Sequence, residues 1–291
     1  MGRARLGHYL LGIGGVALIR RWLVADPAAA RRQVERIADI VGGIDEGLAG
    51  VEIDVPELGV AEGYGSWAAT YDDVPNPLIR VEEPAVRSIL EDVPPGRALD
   101  AACGTGRHAA YLGSRGHAVV GVDATPEMLE KARARHPEID FRTGSLTALP
   151  VETDSRDVVV CALALAHAPD LRAPFAELAR VTRPGGRIVI SDFHPVNVIL
   201  GGEAMFRTPE GGFALVRSFS HQIGEYVNAA VDAGLEVRRC LEPRWSEAEV
   251  AIMAGPLLSA APEAFCEALV GLPGALVLDL EKRRSSRGGE S

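Results

Sequence analysis

Between residues 97 and 193 the chain alternates short apolar runs with amphipathic stretches. The runs at 97–102, 118–123, 139–143, 157–163 and 186–193 predict strands, and 105–115, 125–136 and 171–182 predict the helices between them. Such alternation implies a parallel sheet with helices on both faces, an α/β fold. Asp157 to Leu165 is almost wholly apolar, as a central strand buried on both sides should be. The gap from 143 to 157 reads as a loop. Ahead of this region, residues 1–60 read as a helical extension. One of its helices opens at Pro27, carries Val34, Ile37, Ala38 and Val41 on a single stripe, and stops at Gly42-Gly43. Glu52 to Gly65 reads as a connection crossing toward the sheet, Pro75-Asn76-Pro77 as a turn, and Ile79 to Leu90 as a further helix.

After Phe193 the pattern loosens. Gly201-Gly202 and Gly211-Gly212 mark 194–219 as an inserted loop or hairpin, followed by a helix over Ser220–Ala233 and a strand over Leu235–Leu241. Residues 246–272 read as two short helices broken by Pro256 and Pro262, inside a second insertion over 244–274. Ala275 to Glu281 is one last strand. The main domain is therefore expected over 61–283, with a disordered tail over 284–291.

Composition changes this picture little but excludes some functions. A net charge of -10 argues against a nucleic-acid surface, because the only basic run, Lys282-Arg283-Arg284 with Arg287, is terminal. The four cysteines form no C-x-x-C pair, so reduced thiols, a cytoplasmic location and no metal are expected. Arg3 and Arg5 before the apolar run Tyr9–Ile19 resemble a signal peptide, yet Gly12, Gly14 and Gly15 interrupt that run. It is also too short to span a bilayer. We read it as a docking helix that packs on the body or on another subunit. A homo-oligomer through the N-terminal helices is expected, and a membrane partner is not.

The candidate chemistry begins at Arg97-Ala98-Leu99-Asp100-Ala101-Ala102-Cys103-Gly104-Thr105-Gly106-Arg107, a strand, an acidic residue and a glycine-rich turn before a helix. Glycines there let the main chain pass close beneath a bound molecule, with the helix amides facing it. A second carboxylate, Asp123, ends the next strand. Together they describe a site for a nucleoside-type cofactor at the carboxyl edge of the sheet.

These residues resemble the class I S-adenosylmethionine (SAM)-dependent methyltransferases, in the branch acting on small molecules. Four further segments carry the likeness, in family order over roughly residues 60–283: Asp123; Gly144-Ser145-Leu146-Thr147-Ala148-Leu149-Pro150; Leu165-Ala166-His167-Ala168-Pro169-Asp170; and Leu178 to Gly186. The resemblance implies a Rossmann-like, seven-stranded methyltransferase sheet whose last strand runs antiparallel. It implies SAM as cofactor, with Asp100 on the amino acid tail, Asp123 on the ribose hydroxyls, and Met128 and Leu146 covering the purine. Ala102, Gly104, Gly106, Ala124, Ser145 and Ala162 would line the same site, under an aromatic lid of Tyr64, Trp67 and Tyr71. Two residues depart from the family pattern. Ala102 stands where another glycine is usual, and Ser145 replaces an aspartate, which removes charge assistance near the adenine.

Gly104-x-Gly106-x-x-Ala109 followed by Asp123 also satisfies the looser fingerprint of NAD-dependent oxidoreductases. Against that rival, Asp100 would repel a pyrophosphate but tolerates an ammonium group. A third reading binds SAM without methyl transfer, in a cyclisation or rearrangement. The expected activity is methyl transfer to a small molecule, with O-methylation in specialised metabolism as the finer expectation. For a base or a substrate-orienting group, His194 at the end of the fifth strand ranks first, then His221, then His167.

Overall fold

The computed structural model describes residues 2–23 and 26–284. The tail expected over 284–291 therefore lies outside the described residues from 285 onward. In chain order the elements are β1 (Gly2–Arg5), α1 (Leu6–Arg21), α2 (Pro27–Gly42), β2 (Glu52–Val55), β3 (Glu57–Leu58), α3 (Val60–Trp67) and α4 (Pro77–Leu90). The alternating region follows as β4 (Arg97–Ala101), α5 (Arg107–Ser114), β5 (Ala118–Asp123), α6 (Pro126–Arg135), β6 (Asp140–Thr143), β7 (Arg156–Ala162), α7 (Arg172–Val181) and β8 (Thr182–Phe193). Then come α8 (Pro195–Ile199), β9 (Ala204–Arg207), β10 (Phe213–Val216), α9 (Ile223–Asp232), β11 (Leu235–Leu241), α10 (Glu247–Ala254), α11 (Pro262–Leu269) and β12 (Ala275–Lys282).

The main sheet has seven strands in the order β11-β12-β8-β7-β4-β5-β6. β4 through β8 run parallel, and β12 is antiparallel to both of its neighbours. From β4 the chain builds outward to β5 and β6, then returns to place β7 and β8 on the other side. The strand order thus reverses between β4 and β7, and ligands of open α/β sheets bind beyond the carboxyl ends at such a point. Both faces are covered, and β7 shows it: Val159 and Cys161 join Phe175, Leu178 and Tyr226 on one side. Val158 and Val160 join Val86, Ile89 and Leu112 on the other. This period of two, apolar in both phases, is why the segment reads as continuous hydrophobic sequence.

The first 60 residues are not wholly helical. β1 pairs antiparallel with β2, from Gly2 opposite Val55 to Arg5 opposite Glu52. The stretch read as a connection over 52–65 contains β2, β3 and most of α3. α1 does dock on the body: Leu10, Ile13 and Ala17 pack with Trp245 and Phe265. Arg20 donates to the carbonyls of Glu267, Ala268 and Val270, closing the C-terminal end of α11. The apolar stripe on α2 is covered only at Ile37. Val34, Ala38 and Val41 face solvent, while Gln33 and Ile37 lie against Gly14 of α1. Helical spacing says which residues share a face, but a neighbour decides which face is covered. The insertion after β8 is a hairpin, as expected. Its strand β10 pairs antiparallel with β9 and parallel with β3, just before α3, so the hairpin and the strand leading into α3 share one small sheet.

Candidate active site

β4 carries Asp100 as its next-to-last residue and ends at Ala101, and the chain then turns sharply under its own carboxyl edge. Ala102 has φ 58, Gly104 φ 52 and Gly106 φ 89, all in the left-handed region. Gly106 starts α5 and could not carry a side chain without strain, since a Cβ would also lie 3.1 Å from Phe141 Cζ. Gly104 differs: a Cβ there would meet no protein atom within 4 Å. Its backbone faces open space, the cradle a closely approaching ligand requires. For Ala102 the same backbone conformation costs about 1 kcal/mol that glycine avoids. Ala102→Gly is therefore expected to raise stability by up to about 1 kcal/mol, less the entropy that glycine adds to the unfolded chain. Urea denaturation checks this, and a destabilised variant would contradict it.

The two carboxylates hold the turn. Asp100 Oδ2 accepts from Ala109 N–H at 2.8 Å, and burial pushes its pKa up to about 6. Asp123 Oδ2 accepts from Gly104 N–H at 2.8 Å, and its Oδ1 accepts from Thr125 N–H at 2.8 Å. Burial raises the Asp123 pKa, partly offset by these amide bonds. Each carboxylate oxygen can still take a second donor. Asp100 and Asp123 thus sit on adjacent strands on either side of the open backbone at Gly104.

Over this edge lies a cluster of rings. Tyr64 and Trp67 on α3 have centroids 5.7 Å apart, and Tyr71 stands 5.0 Å from Trp67. Trp67 stacks on Phe206 of β9 at 5.0 Å with an interplanar angle of 8°. The cover is tied down beyond the rings. Asp72 accepts from Thr105 Oγ1 at 3.0 Å and pairs with Arg135, and Lys131 Nζ donates to the Ala69 carbonyl. The expected lid is therefore anchored to the glycine-rich turn, to α6 and to the inserted hairpin at once.

His167 stands in the 3-10 turn after β7, beneath this cover. Its Nδ1 lies 2.8 Å from the Arg217 carbonyl oxygen, and its Nε2 lies 2.8 Å from the Tyr64 hydroxyl. A carbonyl can only accept, so Nδ1 carries the proton, Nε2 presents its lone pair, and Tyr64 donates to it. Burial lowers the His167 pKa, which keeps this ring neutral at pH 7, and burial raises that of Tyr64.

The other histidines are placed differently. His194 Nδ1 accepts from Val196 N–H at 3.2 Å, capping α8, and Nε2 faces the Glu242 carboxylate at 2.9 Å. With its backbone N–H on Gly274 O as well, it ties the end of β8 to β11 and β12. Both ring nitrogens of the residue ranked first from sequence are thus engaged by partners within the protein. His221 is buried, with Nε2 donating to the Ala168 carbonyl at 2.7 Å. The remaining expected residues lie along the same strand edge. Ala124 follows β5, Ser145 and Leu146 follow β6, and Ala162 ends β7. Met128 is buried beneath on α6, whereas Ser145 is exposed and bonds Thr147 at 3.2 Å.

Sequence reasoning missed Glu82. Fully buried on α4, it accepts from Ser191 Oγ at 2.6 Å and from Arg107 at 2.8 Å, with His108 Nε2 at 3.1 Å. Burial opposes its charge, yet His108 and Arg107 together hold its pKa down to about 2. It fastens the first turn of α5 to α4 and β8. The available signal was a carboxylate on the helix face that also carries Val81, Val86 and Ile89. Asp192, at the end of β8, is also buried. It accepts from Tyr226 OH at 2.7 Å, and burial pushes its pKa up to about 6.

A methyltransferase-domain family model matches residues 99–190, the span from β4 to β8. Over 141 residues the chain is 35% identical to the demethylmenaquinone methyltransferase of Renibacterium salmoninarum, covering 47% of this chain and 60% of that protein. Over 200 residues it is 31% identical to the malonyl-[acyl-carrier protein] O-methyltransferase of Hahella chejuensis, covering 67% of this chain and 70% of that one. The chain spans less than two thirds of the first curated relatives it matches, at 60%, 28% and 42% of their lengths. Among solved structures, an S-adenosylmethionine-dependent methyltransferase from Mesorhizobium loti aligns with a TM-score of 0.54 at 24% identity. That alignment covers 69% of this chain and 98% of that one, a likeness of fold.

Proposed function

Because the chain belongs to the SAM-dependent methyltransferase family, we propose that it moves a methyl group from SAM to the oxygen of a small, flat, largely apolar hydroxyl compound. The residues present fit that cofactor. Gly104 leaves room for close approach, Asp123 offers two acceptor oxygens to vicinal hydroxyls, and Asp100 offers its Oδ1 to an ammonium. When bound, SAM supplies an electrophilic methyl carbon on a sulfonium leaving group.

The single observation that carries the acceptor side is the Tyr64–His167–Arg217 chain. An acceptor hydroxyl beside Tyr64 passes its proton to Oη as Tyr64 passes its own to His167 Nε2, and the Arg217 carbonyl holds the ring in place. With that proton taken up by Tyr64 and His167, the acceptor oxygen would be the nucleophile for the methyl carbon that bound SAM would supply, and the departing thioether would keep the electron pair of the carbon–sulfur bond. Tyr64, Trp67 and Phe206 present ring faces and edges rather than charges, which suits a flat apolar body. Of the relatives' named activities, the O-methyl transfer agrees with this proton path. A tailoring step in specialised metabolism fits the separate acceptor-side hairpin.

Calorimetry with SAM, its demethylated product and NAD tests the cofactor, and a screen with isotopically labelled methyl donor tests the acceptor. Binding of the first two and labelled ether product are expected. NAD binding alone would overturn the reading, and turnover without a gain of methyl mass would point to the cyclisation alternative. The pH dependence follows from Asp100. With its pKa about 6 before binding, an ammonium partner draws that value down, so binding near pH 6 releases protons and weakens as pH falls further. Titration in two buffers of different ionisation enthalpy should show net release, up to about half a proton at pH 6 from this group. Proton uptake, or affinity flat from pH 5 to 8, would contradict it.

A further inference from the structure

From Leu10 to Ile19, α1 carries no charged or hydrogen-bonding side chain. A helix apolar on every side belongs in an interior. Among the described residues only one side of α1 is covered, where Leu10, Ile13, Gly14 and Ala17 meet α11 and α2. The opposite side presents Gly12, Gly15 and Ile19, with Trp22 just beyond the helix, at steps of three, four and three residues that keep them in line. Ile19 is 72% exposed, and Trp22 and Leu23 are each 76% exposed. A Cβ at Gly12 or Gly15 would meet no protein atom within 4 Å. The uncovered face is thus flat in its middle and bulky at one end, a shape into which a second helix fits closely.

Charge selects the occupant. Beside the N-terminal end of α1 lie the carboxylates of Asp45, Glu46, Glu52 and Asp54, where Arg5 pairs with Asp45 and Glu52 and Arg3 with Asp54, so acidic groups outnumber basic ones there. Beside its C-terminal end lie Arg20, Arg21, Arg31 and Arg32 against Glu267, which pairs with Arg21, and Asp26 at the cap of α2, so basic groups are in excess there. We infer that α1 packs antiparallel against α1 of a second copy of this chain, about a two-fold axis near Gly15. That arrangement brings each acidic end to the partner's basic end, opposes the helix dipoles, and lets Trp22 and Leu23 cover the neighbour's glycine face. An anionic lipid surface would instead meet the acidic excess at one end of the helix, on a chain of net charge -10.

Light scattering coupled to size exclusion, run on the full chain from micromolar to about 100 µM, tests this. A mass of twice 30.8 kDa is expected for the unaltered protein. Gly15→Arg and Ile19→Glu, placed on the uncovered face, should each give the single mass with unchanged circular dichroism at 25 °C. A monomer at every concentration would overturn the inference, as would a dimer that survives both substitutions. A monomer that sediments with phosphatidylglycerol vesicles would assign the face to lipid instead.

Discussion

His167→Ala is expected to lower kcat by about 10²- to 10³-fold, with SAM affinity nearly unchanged. The reason is directional. The Arg217 carbonyl fixes the proton on Nδ1, which leaves Nε2 as the only ring atom able to receive one through Tyr64. Tyr64→Phe keeps the ring stacked in the lid but breaks the path at its first link, so a comparable loss is expected there. A structural role alone would not reproduce the pH behaviour. Because burial lowers the His167 pKa, the acid limb of the kcat profile should lie below 6.5, and it should vanish in His167→Ala. Steady-state kinetics with a hydroxyl acceptor across pH 5 to 8 measures both. Full turnover in His167→Ala would end the proton-path proposal while leaving the cofactor site untouched.

Asp123→Ala should weaken SAM binding by about 30- to 150-fold, equivalent to roughly 2–3 kcal/mol for hydrogen bonds to a charged acceptor. The same change removes the partner of two backbone amides, at Gly104 and Thr125. Fold stability is expected to fall with it, by about 1–3 kcal/mol. Asp123→Asn separates the two effects. Its amide retains one acceptor oxygen, so stability and affinity should both fall less. Calorimetry and thermal melting on the three proteins decide the matter. Unchanged affinity in Asp123→Ala would remove the ribose role and with it the placement of the cofactor.

Legibility followed the range of the interactions concerned. The strands of the main sheet follow from period and turn residues, readable over a few neighbours, whereas the antiparallel last strand was implied by the family resemblance and the reversal after β4 came from the structure. Asp100, Gly104 and Asp123 were legible for the same reason, since strand ends and glycines mark themselves locally. The histidines were not. His194 and His167 both sit just beyond strand ends, and only their partners tell them apart. One faces Glu242, 48 residues onward, and the other faces Tyr64, 103 residues back. Glu82 escaped notice because Ser191, Arg107 and His108 lie far from it in sequence. The stripe on α2 reads as one helical face, but its spacing does not say that Val34, Ala38 and Val41 stay exposed while Ile37 packs on α1.

Local chemistry in the chain set the layered α/β sheet, the bend that lacks side chains at Gly104, and the two carboxylates beside it. Backbone preference and hydrophobic period act within a dozen residues and need no partner. The three-dimensional packing decided which imidazole turns its lone pair to a tyrosine hydroxyl, how the cover of rings is fastened, and which face of α1 stays uncovered among the described residues. Those outcomes depend on donors, acceptors and volumes brought together from distant parts of the chain, and no local pattern encodes where they will meet.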